Sequence, residues 1–215
     1  MGTGWSRVDR AVHGGAHNLT GRDQCYFYMD RQRGGWDKSE ANQLIFNFKK
    51  RLERRGCPDW HYKTEAIEKF SDDVARLLGR FAWRGRRPVL VPMPTSKCRS
   101  DDAYDDRIVR VAQKASEKSG IDYHEVFDLG DTMVSAHFGG TRSVGVIQDN
   151  LILMDGAYRL CDYDVCLLVD DVLTTGAHFR ACKEVLQNEY PQMIVIGVFW
   201  SKQLPDEYDY GVSVF

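Results

Sequence analysis

The sequence predicts an α/β domain, an open and mostly parallel sheet flanked by helices, with a small N-terminal hood or extension. Three observations predict it. The runs Val165–Val169 and Met193–Trp200 are continuously apolar, as strands buried on both faces are, and a helical pattern separates them. A third short apolar run, Val89-Leu90-Val91, lies between two further helical stripes. Strand, helix, strand alternation is the pattern of a parallel sheet, whose strands are joined by right-handed crossovers that cover both faces.

Size and composition fit this class. A chain of 215 residues can bury a core without staples, and 43% hydrophobic with 12% aromatic residues is too apolar for a disordered chain. Lys plus Arg number 29 and Asp plus Glu 31, a formal charge of −2. That balance argues against a surface coated in cations for duplex DNA, though it leaves room for a local basic groove. No apolar stretch reaches the roughly 18 residues of a membrane span, and the first residues carry no apolar signal-peptide core. A cytoplasmic protein without a membrane partner is expected. Cys25, Cys57, Cys98, Cys161, Cys166 and Cys182 form no Cys-x-x-Cys pair, so reduced structural thiols are expected rather than a zinc ribbon. His13 and His17 sit in a glycine-rich loop without partner ligands at metal spacing.

Residues 1–24 are glycine-rich and weakly periodic, and 1–36 read as the hood, with the α/β domain over 37–215. A helix is expected from Asp37 to Arg55, with Ala41, Leu44, Ile45, Phe48 and Leu52 on one stripe and Asp37 and Glu40 at N-cap and N3 spacing. Its cationic end, Lys49 to Arg55, reads as a solvated helix end that suits the negative end of the helix dipole, with a polyanion-binding patch as the second reading. A second helix is expected from Thr64 to Leu78, ended by Gly79. The strand Val89–Val91 stops at Pro92 and Pro94. A helix from about Asp101 to Ser119 follows, then a strand from Tyr123 to Leu129. Residues 130–150, with Gly130, Gly139, Gly140 and Gly145, read as a loop excursion. The strand Val165–Val169, a helix from Gly176 to Glu189, the strand Met193–Trp200 and an edge strand Gly211–Phe215 complete the chain.

Chemistry concentrates where the clearest strand ends. Val169 runs into Asp170 and Asp171, then Val172-Leu173, Thr174, Thr175, Gly176, Ala177 and His178. Ligands of open parallel sheets collect at the carboxyl ends of strands. The following helix offers unpaired N–H groups and a positive dipole end to a phosphate. Thr174 and Thr175 add hydroxyls, and Gly176 admits close backbone approach. Two carboxylates would repel a bare phosphate but suit sugar hydroxyls or a magnesium-bound ligand. The same string also reads as a well-capped strand-to-helix turn and nothing more.

Leu167-Leu168-Val169-Asp170-Asp171-Val172-Leu173-Thr174-Thr175-Gly176-Ala177 resembles the phosphoribosyl pyrophosphate signature of the type I phosphoribosyltransferases. Val89-Leu90-Val91-Pro92-Met93-Pro94, the Leu44 to Arg51 helix with Phe48-Lys49, Asn150-Leu151 and Ala157–Leu160 resemble features of the ComF-like subgroup. The resemblance implies that Asp170 and Asp171 contact ribose hydroxyls, directly or through Mg2+. It implies that Thr174, Thr175, Gly176, Ala177 and His178 hold the 5-phosphate. Thr95, Ser96 and Lys97 fall where the family binds pyrophosphate, residues 131–147 would form a closing loop, and Arg142 in it is a candidate pyrophosphate contact. His178 replaces the usual Thr or Ser, and the arginine-rich string expected after the first strand is absent.

The implied activity is transfer of phosphoribose between pyrophosphate and a nitrogenous base, possible as a homodimer. Two other readings stand beside it: a non-catalytic module sensing a ribose phosphate or nucleotide, and an accessory protein of DNA uptake. For the last, Arg80, Arg84, Arg86 and Arg87 interleave with Phe81 and Trp83, a pattern that can engage single-stranded nucleic acid or simply cap a solvated helix end.

Overall fold

A computed structural model describes residues 4–8, 15–133 and 143–205. Its main sheet has five strands: β1 (Ser6–Arg7), β2 (Gln24–Arg31), β3 (Pro88–Pro92), β6 (Val165–Leu173) and β7 (Ile194–Gln203), in the order β1-β2-β7-β6-β3. Only β1 runs antiparallel; β2, β7, β6 and β3 pair in parallel. The α/β class with a mostly parallel sheet is therefore the architecture found. A separate antiparallel pair joins β4 (Phe127–Leu129) to β5 (Leu151–Leu153).

Period-two alternation along the strands divides the core into two layers. Cys166 and Leu168 of β6 pack with Phe179, Cys182 and Leu186 of α5 (Ala177–Glu189). Leu167 and Val169 point the other way, toward α1 (Glu40–Phe48), α2 (His61–Leu78) and α3 (Arg107–Ser119). Trp200 of β7 anchors that second layer. It is fully buried, stacks on Phe70 at 4.9 Å, and its Nε1–H donates to Asp73 Oδ2 at 2.9 Å. The hydrogen bond lets an indole sit in an apolar layer without an unpaired donor.

Several expectations change. The first helix spans Glu40–Phe48 and is capped by Ser39, whose Oγ accepts from the Asn42 N–H; Asp37 lies in a separate 3-10 turn, Trp36–Lys38. The serine wins because its hydroxyl reaches N3 directly. The helix stops before Lys49, so the run to Arg55 is not its continuation. The third helix starts at Arg107, after the turns around Asp101 and Tyr104. The expected strand from Tyr123 to Leu129 is split: Tyr123 bridges Leu90, while Phe127–Leu129 pairs with β5. Within the expected loop, Val144–Asn150 forms α4, its Ser143 Oγ accepting from Val146 N–H. Gln24–Arg31, placed in the hood by sequence, is a strand of the main sheet. Gly211–Phe215 lies outside the described residues. Among those described, no helix is long and apolar enough to cross a membrane.

Candidate functional site

The parallel strands β3, β6 and β7 deliver their carboxyl ends to one edge of the sheet. Met93 N–H donates to the Val169 carbonyl at 3.0 Å, so the turn Thr95–Lys97 leaves the sheet beside the Asp170-Asp171 step. Asp171 is buried, 5% exposed, and both carboxylate oxygens are ion-paired: Oδ1 with Lys49 Nζ at 2.9 Å and Oδ2 with Arg107 Nη2 at 3.3 Å. Burial alone would raise its pKa, but the two cations hold it below the ordinary carboxylate range.

The pairing continues inward. Arg107 Nη1 donates to Asp105 Oδ2 at 3.0 Å, and Lys63 Nζ donates to the same oxygen at 2.6 Å. Lys63, 1% exposed, also donates to the carbonyls of Phe48 and Lys50, both at 2.9 Å. An alternating chain Lys63–Asp105–Arg107–Asp171–Lys49 thus ties α2, the start of α3, β6 and the end of α1 together. Lys63 thus caps the last carbonyl of α1, that of Phe48, and the Lys50 carbonyl just beyond the helix. Arg107 Nε is buried without a hydrogen-bond partner among the described residues, and its guanidinium lies 5.6 Å from the Phe48 ring centroid.

Asp170 points to the other side of the step. Its Oδ1 accepts the Asp171 N–H at 2.8 Å and its Oδ2 faces His178 Nδ1 at 3.2 Å. Burial pushes the His178 pKa down, but Cys182 and the Asp170 carboxylate raise it to about 10. The His178 side chain thus turns toward Asp170. Gly176 is the N-cap of α5 at φ +79°, and a Cβ there would meet Leu19 at 2.9 Å. The left-handed turn and the Leu19 contact both require glycine. Gly176 itself offers no side-chain cap, and Thr175 Oγ1 accepts from the Ala177 N–H at 3.4 Å. Thr174 is exposed, and Thr175 is tethered through its carbonyl, which accepts from the N–H and Nδ2 of Asn18 at 3.0 and 3.1 Å.

Thr95, Ser96 and Lys97 are half-buried. Lys97 Nζ donates to Asp101 Oδ2 at 3.0 Å, and Thr132 Oγ1 donates to that oxygen at 2.6 Å. The hydroxyl, the Ala103 N–H and Lys97 lower the Asp101 pKa to about 2. Met133 N–H donates to the Ser96 carbonyl at 2.8 Å, so the turn is laced to residues 132–133. Arg142 lies outside the described residues.

Structure thus brings Asp170, Asp171 and His178 into one cluster with the α5 N-terminus, and seats Thr95–Lys97 beside it. Lys97 faces Asp101 rather than either aspartate. Sequence reasoning assigned no role to Arg107, Asp105 or Lys63; the signal available was a Lys-Asp-Arg set in otherwise helical patterns, with nothing in their spacing to pair them. All four oxygens of Asp170 and Asp171 already have partners, and no three His, Cys, Asp or Glu side chains among the described residues group as metal ligands. Asp170 and Asp171 are the carboxylates of this set that would hold the expected Mg2+. Phe81 packs edge-on to Tyr26 at 5.2 Å and Trp83 lies 5.0 Å from Phe81, both half-buried, so the rings between Arg80 and Arg87 turn toward the core.

No family model matches the sequence, and no curated protein sequence matches it. Two crystal structures of a hypoxanthine phosphoribosyltransferase from Staphylococcus aureus, in orthorhombic and tetragonal forms, are similar in outline. They match at TM-scores of 0.35 and 0.36 and identities of 14% and 15%. The matches cover 66% and 67% of this chain and 76% of each of theirs. At such scores they assign no family, and the fold rests on the topology itself.

Proposed function

We propose that the protein binds a phosphorylated ribose of the phosphoribosyl pyrophosphate class and transfers its phosphoribosyl group to a nitrogenous base. One observation carries this reading: the Asp170-Asp171 step runs through Thr174, Thr175 and Gly176 directly into the N-terminus of α5, whose N-cap is a glycine with no side chain of its own. Carboxylates for ribose hydroxyls and amides for a 5-phosphate are then joined on one continuous segment. Asp170, less enclosed than Asp171, accepts from the hydroxyls. The amides following Gly176, the Thr174 hydroxyl and His178 hold the phosphate. As pyrophosphate departs, the amides of the Thr95–Lys97 turn and Lys97 face the developing charge, Lys97 exchanging Asp101 for the leaving group. No side-chain nucleophile is required. The finer kinship, with ComF-like members, rests on Val89–Pro94 and the Lys49-bearing helix.

A second reading, a non-catalytic sensor of the same ligand, is favoured by the full neutralisation of Asp171 by Lys49 and Arg107. Calorimetric titration with phosphoribosyl pyrophosphate, with and without magnesium, paired with pyrophosphate release over a panel of purine and pyrimidine bases, separates the two. Transfer predicts binding plus release with one base class. Sensing predicts binding alone. Absence of binding, with Asp170→Asn indistinguishable from wild type, would sink both.

A further inference from the structure

We propose that the cleft between the carboxyl end of β2 and α1 is a second ligand site, for a nucleotide: a planar base carrying phosphates. The cavity measures about 720 Å³, within the range of small-molecule sites. Five cations line it (Arg31, Lys49, Lys50, Arg51 and Arg54) against two acids (Glu53 and Asp59), an excess of three positive charges in a chain whose formal charge is −2. Trp36 and Phe46 share its wall and are 56% and 53% exposed, two of the largest rings the fold leaves in solvent. Arg31 Nε is buried there with no hydrogen-bond partner among the described residues. Guanidinium forks suit phosphate oxygens, and exposed rings suit a stacking base.

The cleft also reaches the aspartate step, because Lys49 lines it and pairs with Asp171 at 2.9 Å. A phosphate that draws Lys49 away leaves Asp171 to Arg107 alone and frees one carboxylate oxygen. Nucleotide in the cleft therefore tightens ribose-phosphate binding at the strand end, and by linkage the reverse holds. This coupling rests on the proposed function; occupancy of the cleft does not.

ADP in the presence of EDTA is the probe, titrated calorimetrically into wild type, Arg51→Glu and Trp36→Ala, with a short single-stranded oligonucleotide as the comparison. Neither residue belongs to the aspartate step, and Arg51 is exposed. ADP is expected to bind wild type and to weaken about tenfold in each variant, the scale of one stacking or phosphate contact. Phosphoribosyl pyrophosphate affinity should be unchanged in the variants without ADP and raised in wild type with it. ADP binding equal in all three proteins, or none at millimolar ADP, overturns the site. So does binding of the oligonucleotide alone. If phosphoribosyl pyrophosphate fails to bind while ADP behaves as expected, the coupling and the proposed function fall and the cleft site stands.

Discussion

Replacing Lys63 by Met tests the buried charge chain behind the site. Lys63 is 1% exposed and donates three hydrogen bonds, to Asp105 at 2.6 Å and to the Phe48 and Lys50 carbonyls at 2.9 Å. Each bond to a charged group contributes about 1.5–3 kcal/mol. Against this stands the release of the lysine's own desolvation, since a buried ion pair can be replaced by apolar groups at little loss. The asymmetry decides the sign: Met fills the volume but leaves Asp105 buried with Arg107 alone. Breaking one side of a buried pair costs about 3–5 kcal/mol. At about 2–4 °C per kcal/mol for a domain of this length, Tm falls by about 6–20 °C. Asp105→Asn should cost a similar amount, and the double variant less than the sum, with a coupling energy of about 2–3 kcal/mol. Urea denaturation of the four proteins at neutral pH, followed by circular dichroism, measures that cycle. Coupling below about 0.5 kcal/mol, the limit for independent sites, would refute the chain as an energetic unit.

Two further expectations concern the α5 N-terminus. The His178 ring, followed by proton NMR, should titrate far above 6.5, toward about 10, and Asp170→Asn should lower its midpoint. Because its folded pKa is raised, its stabilising contribution is complete below the unfolded value of about 6.5 and is lost as pH rises toward about 10. A midpoint near 6.5 in wild type, or one that ignores Asp170→Asn, contradicts the pairing. Gly176→Ala forces a β-carbon into the left-handed region at a cost of about 1–2 kcal/mol. The Leu19 contact at 2.9 Å adds to it. Leu19→Ala in the same background should recover only the contact part; a Gly176→Ala protein within about 0.5 kcal/mol of wild type would show the turn to be free of strain.

How much of the fold sequence could reveal follows from burial. β6 and β7 are buried on both faces, so their runs are continuously apolar and stand out. β2 lies between a two-residue edge strand and β7. It buries Cys25, Phe27 and Met29 on alternate positions and leaves Tyr26 and Tyr28 half-exposed. That pattern, Gln-Cys-Tyr-Phe-Tyr-Met-Asp-Arg, alternates in burial but not in polarity, because tyrosines on the outer positions look as apolar as the core ones. Helix α3 began six residues later than Asp101 because Asp101 and Asp105 accept local N–H groups, which favours turns over helix.

The site divides the same way. Asp170, Asp171 and the glycine turn were legible because adjacent residues on one strand-to-helix step act together. Their charge state was not, because it is set across 64 residues by Arg107 and across still more of the chain by Lys49. Local reasoning gave Lys49 to the dipole of its own helix, yet that helix ends at Phe48, and the ammonium answers Asp171 instead. The same fact bears on mechanism. A carboxylate already neutralised by two cations attracts a ribose hydroxyl less strongly than a free one, so ligand affinity must depend on what Lys49 does. Lys49→Met should therefore act oppositely to a simple loss of contact: it leaves the Asp171 carboxylate with Arg107 alone and should tighten a hydroxyl-bearing ligand. If calorimetry shows phosphoribosyl pyrophosphate bound more weakly by Lys49→Met, Lys49 is itself a ligand contact, and the aspartate step is not what limits binding.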